Sequence, residues 1–512
     1  MFSADGKKVL VFNGEIYNYI ELREELIQAG HSFSTGSDTE VLIKAYEQWG
    51  YECQNKFNGM WAFALWDETT QTLFLSRDRI GEKPLNYGVY DNTFIFGSEL
   101  KSILKFGVPA KVRPELIEIY LALTNKQEVY DTFEKLLEDA VKIRMRSDVP
   151  FGAFLSGGLD SSGIVSVMAK NSAHPVKTFT IGFEDKAFDE SGLALQVAEK
   201  FHTDHHRGTV LPENFREALE RISFHYDEPF GDSSAIPTDF VSRYAAKDVK
   251  MVLTGDGGDE ALSGYNSYKG IKIASAINNY LPGIAKNMII ASVNLGAGVF
   301  KGALRYKLNK ISNVLKTSRL PFHIRVAEKM ACTSLADIKR LTSRIPGVIP
   351  VEAYLESLLK ECQFKDDFYK LMYVHYKHNL PNDYLVKVDR MSMANSIEAR
   401  IPFLDHRLVE FMAGVHKDVK LQGWELKSVL RKGIGRNLPP AILAAPKRGF
   451  GIPLREWFKD GEFNLVLEEN LDKVKQLLDP DTISKIIRQN REGKKDNGNF
   501  IWTLLQLNKA LR

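Results

Sequence analysis

Cysteine is scarce in this chain. Only Cys53, Cys332 and Cys362 occur in 512 residues, far apart and without paired spacing. That excludes a disulfide framework and a cysteine-based zinc site, and it fits a reducing compartment. Net charge is scarce too. Against 68 Lys and Arg stand 65 Asp and Glu, a formal charge of +3 that gives no electrostatic reason to expect nucleic acid or a membrane surface as partner. Long apolar runs are missing. The longest candidate, residues 288–300, is broken by glycine and falls short of the roughly 20 residues a membrane helix needs. The opening residues carry no secretory signal. These absences predict a cytoplasmic protein. Internal repeats and low-complexity tracts are also lacking. What remains, 44% apolar and 26% charged, is an ordinary globular composition. The length suits roughly three domains, or two large ones.

The first hundred residues read mostly as β. Strand-like runs at residues 9–12, 60–66, 72–76, 85–90 and 93–97 are separated by acidic and glycine turns. Residues 19–29 and 38–49 carry helical spacing instead. This predicts an α+β layer structure with antiparallel sheets. From about residue 130 the pattern changes. Strand-like runs at 151–155, 177–183 and 249–254 alternate with helical stretches near 194–201 and 213–225. Such alternation predicts a parallel, doubly wound sheet with ligands at the C-terminal strand ends. Beyond residue 270 the chain reads as mostly helical, with loops marked by Pro346, Pro350, Pro439 and Pro440.

Residues Ser156-Gly157-Gly158-Leu159-Asp160-Ser161-Ser162 carry the strongest chemical signal. An apolar run precedes them and a helix-like run follows, so they form a strand, a turn and a helix start. That turn aims backbone N–H groups and the positive end of the helix dipole at one spot, which suits an anion. The adjacent glycines let the backbone approach a ligand closely. Three hydroxyls add donors, and Asp160 can hold a divalent cation beside phosphate oxygens. No Gly-Lys-Ser/Thr follows, so the loop is not a Walker P-loop. The plain alternative is a serine-rich helix cap.

A second loop, Thr254-Gly255-Asp256-Gly257-Gly258-Asp259-Glu260, ends another strand. In a parallel sheet it should emerge near the first, where Asp160 and Asp259 would share a Mg²⁺ that neutralises pyrophosphate. A solvated glycine turn is the alternative. Residues 178–183 end the second strand of this region, an edge that can receive an adenine ring, although taken alone a buried strand is the stronger reading. Residues 227–234, residues 384–394, Arg400-Ile401-Pro402-Phe403-Leu404-Asp405 and Lys447-Arg448-Gly449-Phe450-Gly451 each combine charge with turn or apolar residues. Each can also be read as solvated surface. His202, His205 and His206 have a spacing that suits a metal, but a polar connector between helix and strand is the stronger reading. Near the N-terminus, Asn13-Gly14-Glu15-Ile16-Tyr17-Asn18 closes a strand and Ser37-Asp38-Thr39-Glu40 opens a helix. Asn13, Glu15 and Asp38 together suit the amide and α-amino group of an amino acid. A capping box alone also explains residues 37–40.

Taken together, these motifs resemble the glutamine-dependent asparagine synthetases along nearly the whole chain. The segments at 13–18 and 37–40 look like that family's glutamine-binding segments, and residues 77–85 and 97–101 like the end of its glutaminase domain. Residues 156–162 match its pyrophosphate loop, residues 254–260 its second nucleotide loop, and residues 392–405 and 447–451 its C-terminal signatures. The resemblance implies an Ntn-type glutaminase remnant over residues 1–127, an antiparallel β-sandwich with helices. It implies a Rossmann-like α/β ATP-pyrophosphatase domain with a helical C-terminal part over residues 128–512. It implies ATP and Mg²⁺ as cofactors, with aspartate and glutamine or ammonia as the other substrates. Many members are dimers, so a homodimer is the assembly the resemblance suggests.

Carried over residue by residue, the family's ATP site falls on Leu155, Ser156, Gly157, Gly158, Asp160, Ser161, Ser162, Ile181, Thr254 and Gly255. Its glutamine site falls on Asn13, Gly14, Glu15 and Asp38, its metal ligands on Asp160 and Asp259, and its catalytic roles on Asp256 and Lys447. Many relatives have Glu where Asp256 stands. The implied chemistry is adenylation of the aspartate side chain with release of pyrophosphate, then displacement of AMP by ammonia. Two departures follow from the same comparison. The family's glutaminase nucleophile is an N-terminal cysteine, whereas this chain opens with Met1-Phe2, and Cys53 reads as a loop residue outside the catalytic motif. Further, residues 121–130 run together where the family places more strands and a linker. The expectation is therefore an intact synthetase half and a glutaminase half that has lost glutamine use. Amidation of another carboxylate (a sugar, peptide or β-lactam precursor) and a non-catalytic truncated product are the rival readings.

Overall fold

The computed structural model describes residues 1–99, 126–186, 188–211, 215–280, 283–299, 308, 312, 314–447, 449, 451–458, 467 and 470–511. They form two compact units. The first comprises Met1–Ala261, Leu380–His416 and Val429–Ile452; the second comprises Leu262–Asn379, Lys417–Ser428 and Pro453–Arg512.

In the first unit, β1 (Lys8–Ile16), β2 (Gly59–Asp67) and β3 (Thr72–Arg77) make an antiparallel sheet in the order β1-β2-β3. Leu10 pairs with Leu65 and Phe12 with Phe63. Alternation along these strands sends one set of side chains to a core with the helices Tyr19–Gln28 and Asp38–Trp49. Leu22, Leu26, Val41, Leu42 and Ala45 pack there against Leu10, Ile16, Phe63 and Leu65. Cys53 belongs to the same cluster and is fully buried. It begins a short helix, Cys53–Lys56, and is not the loop residue the sequence suggested. Strands β4 (Asn86–Tyr90) and β5 (Thr93–Gly97) form a separate hairpin. Its turn residues, Asp91 and Asn92, both have positive φ, as a tight two-residue hairpin turn requires. Residues 100–125 lie outside the described residues, and with them half of the expected shortening at 121–130. Helix Lys126–Arg144 begins just beyond.

The rest of this unit is a five-stranded sheet in the order β10-β9-β6-β7-β8, parallel throughout. The strands are β6 (Phe151–Phe154), β7 (Lys177–Phe183), β8 (Asp204–Val210), β9 (Met251–Leu253) and β10 (Glu398–Arg400). From β6 the chain moves one way to β7 and β8, then reverses to β9. The order therefore switches at the C-terminal end of β6, where open parallel sheets bind ligands. Two of the five strands escaped the sequence pattern. β8 is an edge strand, mostly polar, with Val210 its one buried residue. It contains His205 and His206, so these are strand residues and not a connector. Thr178 Oγ1 lies 2.9 Å from His205 Nδ1, and Phe179 stacks on His206 with ring centres 5.2 Å apart. Among the described residues no group of three or more His, Cys, Asp or Glu could hold a metal. β10 is only three residues long, too short for a period to show.

The described part of the second unit is helical. Tyr268, Val326, Leu355, Phe368, Leu371, Val374, Leu421 and Leu426 form its core. Residues 288–299 lie on helix Gly283–Val299. Among the described residues no helix is long and apolar enough to cross a membrane.

Candidate active site

The first loop follows β6 directly. Leu155 N–H donates to the Phe179 carbonyl at 2.9 Å, which carries the β6–β7 pairing to the loop's entrance. Gly157 turns the chain with φ +77°, and a β-carbon there would stand 2.8 Å from Ala194 N. Gly158 is the N-cap of helix Leu159–Asn171. Its carbonyl accepts from Ser162 Oγ at 2.6 Å, and Ser156 Oγ lies 3.1 Å from Ser161 Oγ. The hydroxyls thus close the loop on itself, while the first N–H groups of the helix remain without helical partners, as at any helix start.

The second loop touches the first. β9 pairs with β6 in parallel register, Leu253 beside Ala153. Thr254 N–H donates to Arg400 O at 2.9 Å, so the loop is also fixed to β10. A β-carbon on Gly255 would lie 2.6 Å from Ser161 N, and one on Gly258 would lie 2.7 Å from Asp160 Oδ1. Glycine at these positions is what allows the two turns to meet. Gly257, with φ +76°, turns the chain against Leu404, whose Cδ2 would be 2.5 Å from an added β-carbon. Lys447 Nζ donates to Asp259 Oδ2. The structure therefore gathers Asp160, Ser161, Gly255 and Gly258 directly, and joins Asp259 to Lys447 as an ion pair. Asp256 is half-buried in the second loop. Thr254 and Ile181 are buried within the sheet region. Arg448 and Phe450 lie outside the described residues.

The N-terminal set occupies the end of β1. Asn13 Nδ2 donates to Ser98 Oγ at 3.2 Å. Gly14 packs against β2 so closely that a β-carbon would meet Met60 O at 2.2 Å. Asp38 Oδ2 accepts from Ile16 N at 2.9 Å. Burial, with the Asp38 charge nearby, pushes the Glu15 carboxyl up to about 7; burial raises Asp38 as well. Ser37 caps the helix by accepting from Glu40 N. Burial works against the Glu40 carboxylate, yet hydrogen bonds from Thr35 and Ser34 hold it down to about 2.

Charged side chains join this segment to the parallel-sheet region. Arg144 Nη1 donates to Asp405 Oδ2 at 2.9 Å, and Arg144 Nη2 lies 3.6 Å from Glu82. Arg400 lies 3.5 Å from Glu15, and Lys83 3.4 Å from Asp389. Asp78 organises residues 80–83 by accepting from the N–H groups of Ile80, Gly81, Glu82 and Lys83.

One cluster joins two segments that the sequence offered only separately, residues 227–234 and 384–394. Lys387, on helix Leu385–Met393, is buried, and its Nζ donates to Asp232 Oδ2 at 3.2 Å and to Ser234 Oγ at 2.9 Å. Residues 230–234 are thus no solvated surface, with Phe230, Ser233 and Ser234 buried, although Glu228 and Pro229 before them are exposed. Nor is the stretch from Arg400 to Asp405, all of which is buried. Burial, with Asp232 beside it, pushes Asp383 up to about 7. The available signal was position: Lys387 stands next to the apolar stripe of Leu385, Val388 and Met391, on the face that packs inward.

Comparison with known proteins matches this arrangement. The Asparagine synthase family model matches residues 132–512, and the Glutamine amidotransferase domain model matches residues 1–149. Asparagine synthetase [glutamine-hydrolyzing] 1 of Bacillus subtilis (strain 168) is 30% identical over 544 residues, 97% of this chain and 84% of that protein. Asparagine synthetase [glutamine-hydrolyzing] 3 of the same organism is 30% identical over 500 residues, covering 86% of this chain and 74% of that protein. Amidase chry2 of Gibberella zeae is 25% identical over 527 residues, 87% of this chain and 77% of that protein. With a synthase match over most of its length and a nearly full-length relative at this identity, the chain belongs to the asparagine synthase family of carbon–nitrogen ligases.

Proposed function

We propose that this protein makes L-asparagine from L-aspartate and ATP by way of β-aspartyl-AMP, with ammonia as nitrogen donor. The observation that carries the proposal is the contact of the two glycine loops, Gly255 and Gly258 against Ser161 and Asp160. An oxygen of the aspartate β-carboxylate attacks the α-phosphorus of ATP, and the bond to pyrophosphate breaks. The nitrogen lone pair of ammonia then attacks the acyl carbon, the bond to AMP breaks, and nitrogen loses a proton.

A carboxylate is a poor acyl donor, so adenylation supplies the leaving group. In the proposed assignment the N–H groups at the start of helix Leu159–Asn171 and the hydroxyls of Ser156, Ser161 and Ser162 hold the departing pyrophosphate. Leu155, Ile181, Thr254 and Gly255 bound the nucleotide. Lys447 offsets the negative charge that develops on phosphate and acyl oxygens. Asp256 takes the proton from nitrogen. Two carboxylates on adjoining turns, Asp160 and Asp259, fit Mg²⁺, which commonly binds one or two carboxylates and completes its shell with phosphate and water. Bound there, Mg²⁺ would neutralise the polyphosphate. The assignment treats residues 128–512 as the synthetase domain and residues 1–127 as a glutaminase-type domain, with Asn13, Gly14, Glu15 and Asp38 as its amino-acid pocket. Ammonia is the donor in this reading, and Cys53 offers no alternative nucleophile: it is packed in the core, and burial pushes its thiol up to about 12.

Incubation with aspartate, ATP and Mg²⁺ and either ammonium or glutamine tests this reading. AMP and asparagine should form with ammonium and not with glutamine. Equal rates with both donors would overturn the ammonia assignment. A second reading, amidation of another carboxylic acid through the same two loops, draws support from the likeness to Amidase chry2. Pyrophosphate release from a different acid, with none from aspartate, would favour it. No AMP with any acid would remove the ligase activity itself.

A further inference from the structure

Lys387 poses a physical question that packing does not answer. Moving an ammonium out of water is costly, and a Met of similar length would fill the same space without that cost. Yet carboxylates converge on it. Asp232 and Ser234 hold its Nζ directly, and Asp256 and Asp383 both act on its charge. Asp232 is itself ordered by Ser234, whose N–H and Oγ donate to it at 2.9 and 2.6 Å. Tyr226 OH donates to Lys387 O at 3.3 Å, so the backbone of the helix is fixed as well. Among the described residues, Asp383 Oδ1 is buried without a hydrogen-bond partner. Without the lysine, Asp232 would lose its ion-pair partner, and Asp383 and Asp256, the latter on the second glycine loop, would lose a cation that acts on them.

Resting on the proposed ligase reading, we infer that Lys387 is a positioning residue for acid activation: it ties residues 227–234 to helix Leu385–Met393 through Asp232 and Ser234, beside the second glycine loop's side of the sheet region. Lys387 acts through these groups and not on the reacting atoms. Its charge offsets carboxylates that would otherwise repel the incoming acid, and its hydrogen bonds keep the Asp232–Ser234 turn in one place. Its loss should therefore lower turnover and aspartate use more than ATP binding, which belongs to the two glycine loops.

The test uses the full chain and follows pyrophosphate release with aspartate, ammonium, ATP and Mg²⁺. Lys387→Met should lower kcat/KM for aspartate by about 100-fold, the scale of losing one fixed electrostatic partner. Its KM for ATP should stay within a few-fold of the parent. Lys387→Arg, which keeps the charge, should recover at least roughly tenfold of that loss. Ser234→Ala removes the two hydrogen bonds of the Ser234 hydroxyl, one from Lys387 and one to Asp232, but leaves the Lys387–Asp232 pair in place; it should cost roughly tenfold with little change in Tm, which keeps the inference open to test if Lys387→Met folds poorly. Lys387→Met at parental activity, or activities in all three variants that only track the folded fraction, would overturn the positioning role while leaving the ligase reading intact. A parent chain that releases no pyrophosphate with aspartate would remove the ligase reading, and this role with it.

Discussion

Gly255 lies so close to Ser161 that a β-carbon on it would stand 2.6 Å from the Ser161 backbone nitrogen. Both sides of this contact are main chain, so no flexible side chain can yield. It exists because β6 and β9 are adjacent parallel strands whose loops leave from the same end. Gly255→Ala must push the two loops apart. The expected result is a loss of roughly 100-fold in pyrophosphate release, the scale set by about 1 Å of misplacement. Overpacking should also lower stability by ~1–3 kcal/mol. Steady-state kinetics and urea denaturation measure the two effects; an active, stable variant would show that the loops need not touch.

Lys447 pairs with Asp259 but keeps 32% of its side chain accessible. A pair this open contributes little to folding, about 1 kcal/mol or less. Its value should lie in catalysis. Lys447→Met should therefore lower kcat by ~10²–10³-fold while thermal unfolding stays nearly unchanged. Unfolding that fell in parallel with activity would assign Lys447 a structural role instead.

Arg144 behaves differently, because both it and Asp405 are almost fully buried. Burial alone would raise the Asp405 carboxyl, but the Arg144 and Arg407 guanidinium groups beside it hold it well below the usual carboxylate range. Arg144→Met leaves the Asp405 carboxylate buried with less compensation and should cost ~3–5 kcal/mol. A carboxyl lowered on folding stabilises above its unfolded value, and that stability is lost as pH falls through the folded value. The Arg144→Met penalty should accordingly shrink in strong acid. Urea denaturation at neutral and acidic pH checks both statements.

Lys420, in the second unit, is fully buried, with its Nζ 3.4 Å from Met372 Sδ. Burial pushes its ammonium down from 10.5 to about 7. Between those values the unfolded chain binds more protons than the folded one, so this group makes stability rise with pH from about 7 toward 10.5 and adds no slope below. Lys420→Met should stabilise the protein at pH 7 by ~1–4 kcal/mol and remove that rise. Subtracting the variant's stability–pH curve from the parent's isolates the effect. Glu82 and Glu15, raised by burial to about 8 and about 7, contribute slopes of the opposite sign at lower pH. A flat difference between the two curves would mean that Lys420 is hydrated.

Much of the sheet region was legible because its central strands are apolar and its loops obey local backbone rules. Residues 156–162 and 254–260 needed glycine for approach and a helix start for charge, and those needs are written in consecutive residues. β8 was not legible, since an edge strand needs no apolar alternation. β10 was too short to show a period. Lys387 and Asp232 are 155 residues apart, and only the packing of helix Leu385–Met393 brings them together. The same applies to Arg144 and Asp405: each reads as a surface charge until the other is placed beside it.

The clamp made by Arg144 sets a rule for recombining this protein with its relatives. Residues 132–149 are matched by both family models, and Arg144 lies inside that overlap, held by Glu82 before it and Asp405 after it. No crossover point between residues 82 and 405 keeps all three on one parent. A chimera that exchanged either half at a boundary near 128 or 149 would set an arginine from one lineage against a carboxylate from another. Grafts should succeed where the donor carries the same triad, and should precipitate where it does not, whatever the quality of the halves themselves.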